Sequence, residues 1–82
     1  MNRNNIFEKV QQIFRDVFDN QKLTIVDSST AESIDDWDSL NHINLIVGIE
    51  KEFDIKFSLN EVTALKDVGE MINLINHKVQ IA

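Results

Sequence analysis

The 82-residue chain has no cysteine, no proline and no tyrosine, and only two glycines, Gly48 and Gly69. Without cysteine there is neither a disulfide framework nor a thiolate metal site. A domain this small and unstapled must hold itself together by helix packing. The scarcity of glycine leaves no glycine-rich turn, and no repeat or low-complexity tract is present. No apolar run is long enough to span a bilayer, and Met1-Asn2-Arg3-Asn4-Asn5 lacks the apolar stretch of a secretory signal. Cytoplasmic residence is the expectation. Positive charge is scarce as well. Eight basic against fourteen acidic residues leave a net charge of −6, which repels phosphate backbones and argues against nucleic acid as a partner. Such a surface steers basic partner patches towards itself.

What is present is enough apolar material for one small packed domain over residues 1–82, with a hydrophobic fraction of 43%. At this size about 60–70% of the unfolded surface can be buried. Residues 4–18 read as a first helix, since Ile6, Phe7, Val10, Ile13, Phe14, Val17 and Phe18 make one broad stripe at helical spacing. Asn5 and Glu8 stand at capping-box spacing at its start. Residues 19–38 form a long loop, polar apart from Leu23, Ile25, Val26 and Ile34, which are expected to pin it to the helices. Loops of this length tend to be functional. A second helix is expected from Ser39 to about Phe53, with Leu40, Ile43, Leu45, Ile46, Val47, Ile49 and Phe53 making it the most buried element. Ser58-Leu59-Asn60-Glu61 reads as a short capped helical turn. A last helix begins near Asp67, which stands at capping-box spacing from Glu70, and carries Val68, Met71, Ile72, Ile75 and Val79 on one stripe. Lys22 to Val26 is the one weak strand candidate. The sum is an all-α fold, a small irregular four-helix bundle of three main helices and a short one.

The chemically informative stretch is Asp36-Trp37-Asp38-Ser39-Leu40. Asp38 is a good helix N-cap, its carboxylate accepting hydrogen bonds from unpaired N–H groups of the first turn. Ser39 then falls at the first helical position. There the free N–H groups and the helix dipole favour a negatively charged group such as a phosphodiester. The position suits a serine that is esterified with phosphate better than one acting alone as a nucleophile.

Asp38-Ser39-Leu40, followed in helical register by Leu45, Glu50, Glu52, Phe53 and Asp54, resembles the acyl carrier protein family over most of the chain. At one point the chain departs from the family. Where members often have a glycine two residues before the serine or nearby, it has Asp36 and Trp37. The resemblance implies that Ser39 bears 4′-phosphopantetheine. A phosphopantetheinyl transferase would move it from coenzyme A with magnesium, and the chain itself would not catalyse. Asp38 would orient the site and meet the transferase, and Leu40 would seat the helix start in the core. The implied partners are that transferase and acyl-loading and acyl-transfer enzymes, met by a monomer. Asn41, His42, Asn44, Glu50 and Lys51 would face them; members serving fatty-acid synthesis have a strongly acidic face there. Ile49, Phe57, Val62, Leu65 and Met71 resemble the positions that line the family's acyl-chain cleft, although apolar residues at this spacing are more often core.

Other chemistries fit less well. His42 lies three residues after Ser39, but a catalytic pair also needs an orienting group and an oxyanion hole. It reads instead as a solvated surface residue facing a partner or the phosphate. His77 reads as inert, and two such separated histidines make a poor zinc site. Glu32, Asp35, Asp36 and Asp38 do not form a calcium loop. An EF-hand register starting at Asp36 places Leu40, Asn41 and Val47 at the deciding positions. Beside an acyl carrier stand a peptidyl or aminoacyl carrier, with the same chemistry and different cargo, and a small helical adaptor. Trp37, the one tryptophan, is expected to lay its ring over the start of the second helix.

Overall fold

The apolar stripe at the start of the chain becomes α1 (Arg3–Val17), and the other expected helices follow as α2 (Ser39–Phe53), α3 (Leu59–Ala64) and α4 (Val68–Ile81). The computed structural model describes residues 2–81. Helix α1 packs against both α2 and α4. Its Ile6, Val10 and Phe14 are wholly buried, and Phe7, Ile13, Val17 and Phe18 pack around them. The cap of α1 differs from the expected one. Asn2, not Asn5, is the N-cap, and its side-chain oxygen accepts the Asn5 N–H at 2.8 Å. Three asparagines crowd this start, and the outermost of them captures the first free N–H groups.

Helix α2 is not the most buried element. Leu45, Ile46 and Ile49 face inward, but Ile43 and Val47 are about half exposed and Leu40 is 70% exposed. The deepest face belongs to α4, where Val68, Met71, Ile72 and Ile75 are wholly buried. An all-round apolar helix needs neighbours all round, and α2 has α1 on one side with open solvent on the other. Gly48 marks the close approach of these two helices, since a Cβ there would lie 3.1 Å from Cγ2 of Ile13.

Asp54 ends α2 in the left-handed conformation (φ 55°, ψ 51°), with its N–H donating to the carbonyl of Glu50. The Ser58–Glu61 capping box of α3 is complete. Asp67 accepts the Glu70 N–H at 2.8 Å, while the Glu70 carboxylate reaches one residue further back, to the Lys66 N–H at 3.2 Å. Lys78 of α4 pairs with Glu61 at 2.9 Å and sits 5.6 Å from the Phe57 ring centroid, tying α3 to α4.

The long loop is pinned by Ile25, Ile34 and Trp37, all buried, and by half-buried Leu23. Val26 is not a pin, because its side chain is more than half exposed. Lys22–Val26 forms no strand; an isolated antiparallel bridge joins Thr30 to Asp67 instead. Beside that bridge, Ser29 O accepts the Val68 N–H at 3.0 Å and Asp27 O the Gly69 N–H at 2.8 Å. These bonds moor the loop to the start of α4 and hold its last residues over the start of α2.

Candidate functional site

The loop delivers its last four residues to α2 through a left-handed residue. Asp36 has φ 71°, a conformation that costs most L-residues about 1–2 kcal/mol and aspartate less. The Asp36 carbonyl accepts the Asp38 N–H at 2.9 Å and the Asn41 side-chain amide at 2.7 Å. Asp38 follows as N-cap, its Oδ1 accepting the Asn41 N–H at 2.9 Å and its carbonyl the His42 N–H at 2.8 Å.

Ser39 is therefore the first residue of α2, exposed, with no hydrogen-bond partner for its hydroxyl among the described residues. The N–H groups of Ser39 and Leu40 are likewise without protein partners among the described residues. A phosphodiester on Ser39 would meet those two donors and the positive end of the helix dipole. The donor set fits a covalently attached phosphate. Glu32, Asp35, Asp36 and Asp38 are exposed around it and do not converge on one point as metal ligands.

Beside Ser39 opens a groove of about 550 Å³. Asp38, Ser39, His42 and Ile43 form one side, Leu59, Val62 and Thr63 of α3 the other, and Ala31, Trp37, Leu65 and Lys66 close the ends and floor. Two of the five expected cleft residues, Val62 and Leu65, line it. Phe57 is half buried beneath Lys78. Ile49 and Met71 do not line the groove but lie in the closed core, at zero exposure. Helical spacing could place both on inward faces, but could not tell the core from the groove, whose lining includes the Trp37 and His42 rings.

Those rings are the main surprise. His42 is not a solvated surface residue. Its ring is part-buried, with Nδ1 3.1 Å from Nε1 of Trp37 and Nε2 3.0 Å from the carbonyl oxygen of Val62. An indole nitrogen can only donate, so Nδ1 accepts; the ring proton then lies on Nε2, which donates to Val62. With both nitrogens engaged, His42 has no free lone pair for Ser39, and a Ser39–His42 catalytic pair loses its base. The Trp37 ring does lie over the start of α2, its plane 24° from that of His42. Its far side meets Phe14 edge-on at 5.2 Å.

The remaining expected contact residues spread along α2. Leu40 points away from the core it was expected to enter. Asn44 is exposed and donates to the side-chain oxygen of Asn41 at 3.3 Å, and Lys51 is exposed one helix length from Ser39. Glu50 is turned inward, its carboxylate accepting the Phe57 N–H at 2.9 Å. His77 is exposed on α4. The sequence reading missed Ala31, Leu59, Thr63 and Lys66 as groove residues, and no periodicity could have joined a loop alanine to α3.

No protein-family model matches the chain. It is 36% identical over 81 residues to an acyl carrier protein of Thermosynechococcus vestitus, covering 96% of this chain and 98% of that one. An acyl carrier protein of Petrotoga mobilis is 31% identical over 83 residues, covering 99% and 95%. Among solved structures, the solution structure of holo acyl carrier protein from Geobacter metallireducens matches with a TM-score of 0.86 at 39% identity, over 93% of this chain and 87% of that one. The crystal structure of an acyl carrier protein from Thermotoga maritima matches with a TM-score of 0.84 over 96% and 92%; at 20% identity it speaks for the fold alone.

Proposed function

The chain belongs to the acyl carrier protein family, and on that premise we propose that it carries an acyl group as a thioester on a 4′-phosphopantetheine arm esterified to Ser39. Members of this family are carriers that present cargo to biosynthetic enzymes and do no catalysis themselves. The observation that carries the assignment is the exposure of the Ser39 hydroxyl at the first position of α2, next to two unpaired N–H groups and a groove. When attached, the arm supplies a terminal thiol for the thioester.

The chain's own residues do the rest. Asp38 caps α2 and holds the serine at its mouth, while the Asn41 amide and the Asp36 carbonyl fix the loop against the helix. Asp38 and Leu40, both exposed beside Ser39, are the side chains a phosphopantetheinyl transferase meets first. Acyl-loading and acyl-transfer enzymes then meet the outward side of α2, where Ile43, Asn44, Val47 and Lys51 are exposed. That side carries little negative charge, which supports service in a specialised pathway.

Incubation with coenzyme A, magnesium and a broad-specificity phosphopantetheinyl transferase tests the reading by intact mass. The wild type should gain one arm and Ser39→Ala none, with an unchanged circular dichroism spectrum. An unmodified wild type would instead leave a helical adaptor as the better reading.

A further inference from the structure

The Trp37–His42–Val62 chain of hydrogen bonds has no part in attaching anything to Ser39, yet all three of its residues line the groove. Trp37 is 7% exposed and has two faces: one lines the groove, the other packs on Phe14 in the core. His42 belongs to α2 and Val62 to α3, so the Nε2–H bond to the Val62 carbonyl ties the two helices together at the groove. Ile49 and Met71 are fully enclosed in the core and do not line the groove. A chain passing from the groove into the core through this wall has to part α3 from His42 and displace the indole.

We propose that His42 is a specificity-determining latch: by bonding Trp37 and Val62 at once it keeps the groove shut off from the core, so that the cargo is a short acyl group lying outside the bundle. The proposal rests on the carrier reading of Ser39. His42 acts through Trp37 and α3 and is a positioning residue. Long acyl chains stay exposed on this protein, because sheltering them requires both hydrogen bonds to break.

The test loads the protein with acetyl, butanoyl, octanoyl or dodecanoyl pantetheine, from the acyl-coenzyme A and a promiscuous transferase. Intact mass confirms loading first, so a failure of the Ser39 assignment shows as an unmodified protein before the latch is tested. Shielding is then read as the rate at which hydroxylamine cleaves the thioester. In the wild type that rate should vary little with chain length. In His42→Ala the octanoyl and dodecanoyl forms should be cleaved roughly 30-fold more slowly than the acetyl form, the factor that loss of two net hydrogen bonds implies for opening the wall. His42→Gln, whose amide can accept from Trp37 and donate to Val62, should restore the flat profile. A general loss of stability would not be reversed by glutamine or depend on chain length. If His42→Ala does not fold, Trp37→Phe, which keeps an aromatic ring but removes the N–H and leaves the Val62 bond, takes its place with a smaller expected factor of roughly fivefold. Wild-type protein that already shields dodecanoyl more than acetyl, or a flat profile in every folded variant, would overturn the proposal.

Discussion

The ammonium of Lys78 lies 2.9 Å from a carboxylate oxygen of Glu61, binding the last turn of α4 to the first turn of α3. The same carboxylate accepts the Ser58 N–H at 2.8 Å as the second half of the α3 capping box. One side chain thus both starts α3 and fixes it to the bundle. The wall of the groove opposite Ser39 depends on it.

That double role has a sign in pH. The Ser58 backbone hydrogen bond, and then the Lys78 side chain, hold the Glu61 carboxyl below its ordinary value of 4.5. A depressed carboxylate contributes stability that is present above its unfolded pKa and lost as pH falls through the folded one. The melting temperature of the wild type should therefore fall as pH drops below 4.5, and Glu61→Gln should show a shallower fall over that window. Parallel curves for the two proteins would show that the pairing adds nothing.

Asp54 offers a cleaner backbone test. It holds a left-handed conformation at the end of α2, where glycine is favoured because it has no Cβ to crowd the carbonyl. Asp54→Gly should raise the free energy of unfolding by about 0.5–1 kcal/mol, and Asp54→Val should lower it by about 1–2 kcal/mol. Urea unfolding of the three proteins decides it. A destabilising glycine would mean that the aspartate side chain contributes more than its backbone strain costs.

Trp37 is a built-in reporter for the site. Its ring lines the groove next to Ser39 and its N–H is committed to His42. Attachment of the arm should shift or quench its fluorescence, and Ser39→Ala should show no change on the same treatment. Identical spectra before and after modification would place the arm away from the groove.

Much of this was legible in the chain because helices advertise themselves by period. The stripes of α1 and α4, the Asp38 and Ser58 caps and the place of Ser39 at the first position of α2 all rest on local spacing. What escaped depends on contacts between segments. His42 looked like a surface residue because its partners, Trp37 in the loop and the Val62 carbonyl on α3, share no periodicity with it. Leu40, Ile43 and Val47 looked like core because a helix apolar on every side does not disclose which side has a neighbour. Ile49 and Met71 looked like cleft residues by resemblance alone, and spacing does not tell a closed core from an open groove. The Asn2 cap was missed because adjacent asparagines are equivalent until the backbone chooses one.

The outward side of α2 carries the last prediction. Leu40, Ile43, Asn44, Val47 and Lys51 are exposed along it, while Glu50 is turned inward to the Phe57 N–H. The family resemblance implies a strongly acidic face here in members that serve fatty-acid synthesis, which would dock on basic enzyme patches. This chain lacks that charge and should be a poor substrate for such enzymes. Restoring it cannot begin at Asn41, whose amide is committed to the Asp36 carbonyl. Asn44→Glu with Lys51→Glu changes the exposed charge and leaves the loop bonds in place. Charges at a rim of this kind act mainly on association rate, and their effect weakens as salt shortens the screening length. The modified double variant should therefore be turned over faster than the wild type by a malonyl transferase of housekeeping fatty-acid synthesis. The gain should be larger at low ionic strength than at high. Housekeeping-level turnover of the wild type, with no gain in the variant, would refute this account of partner choice.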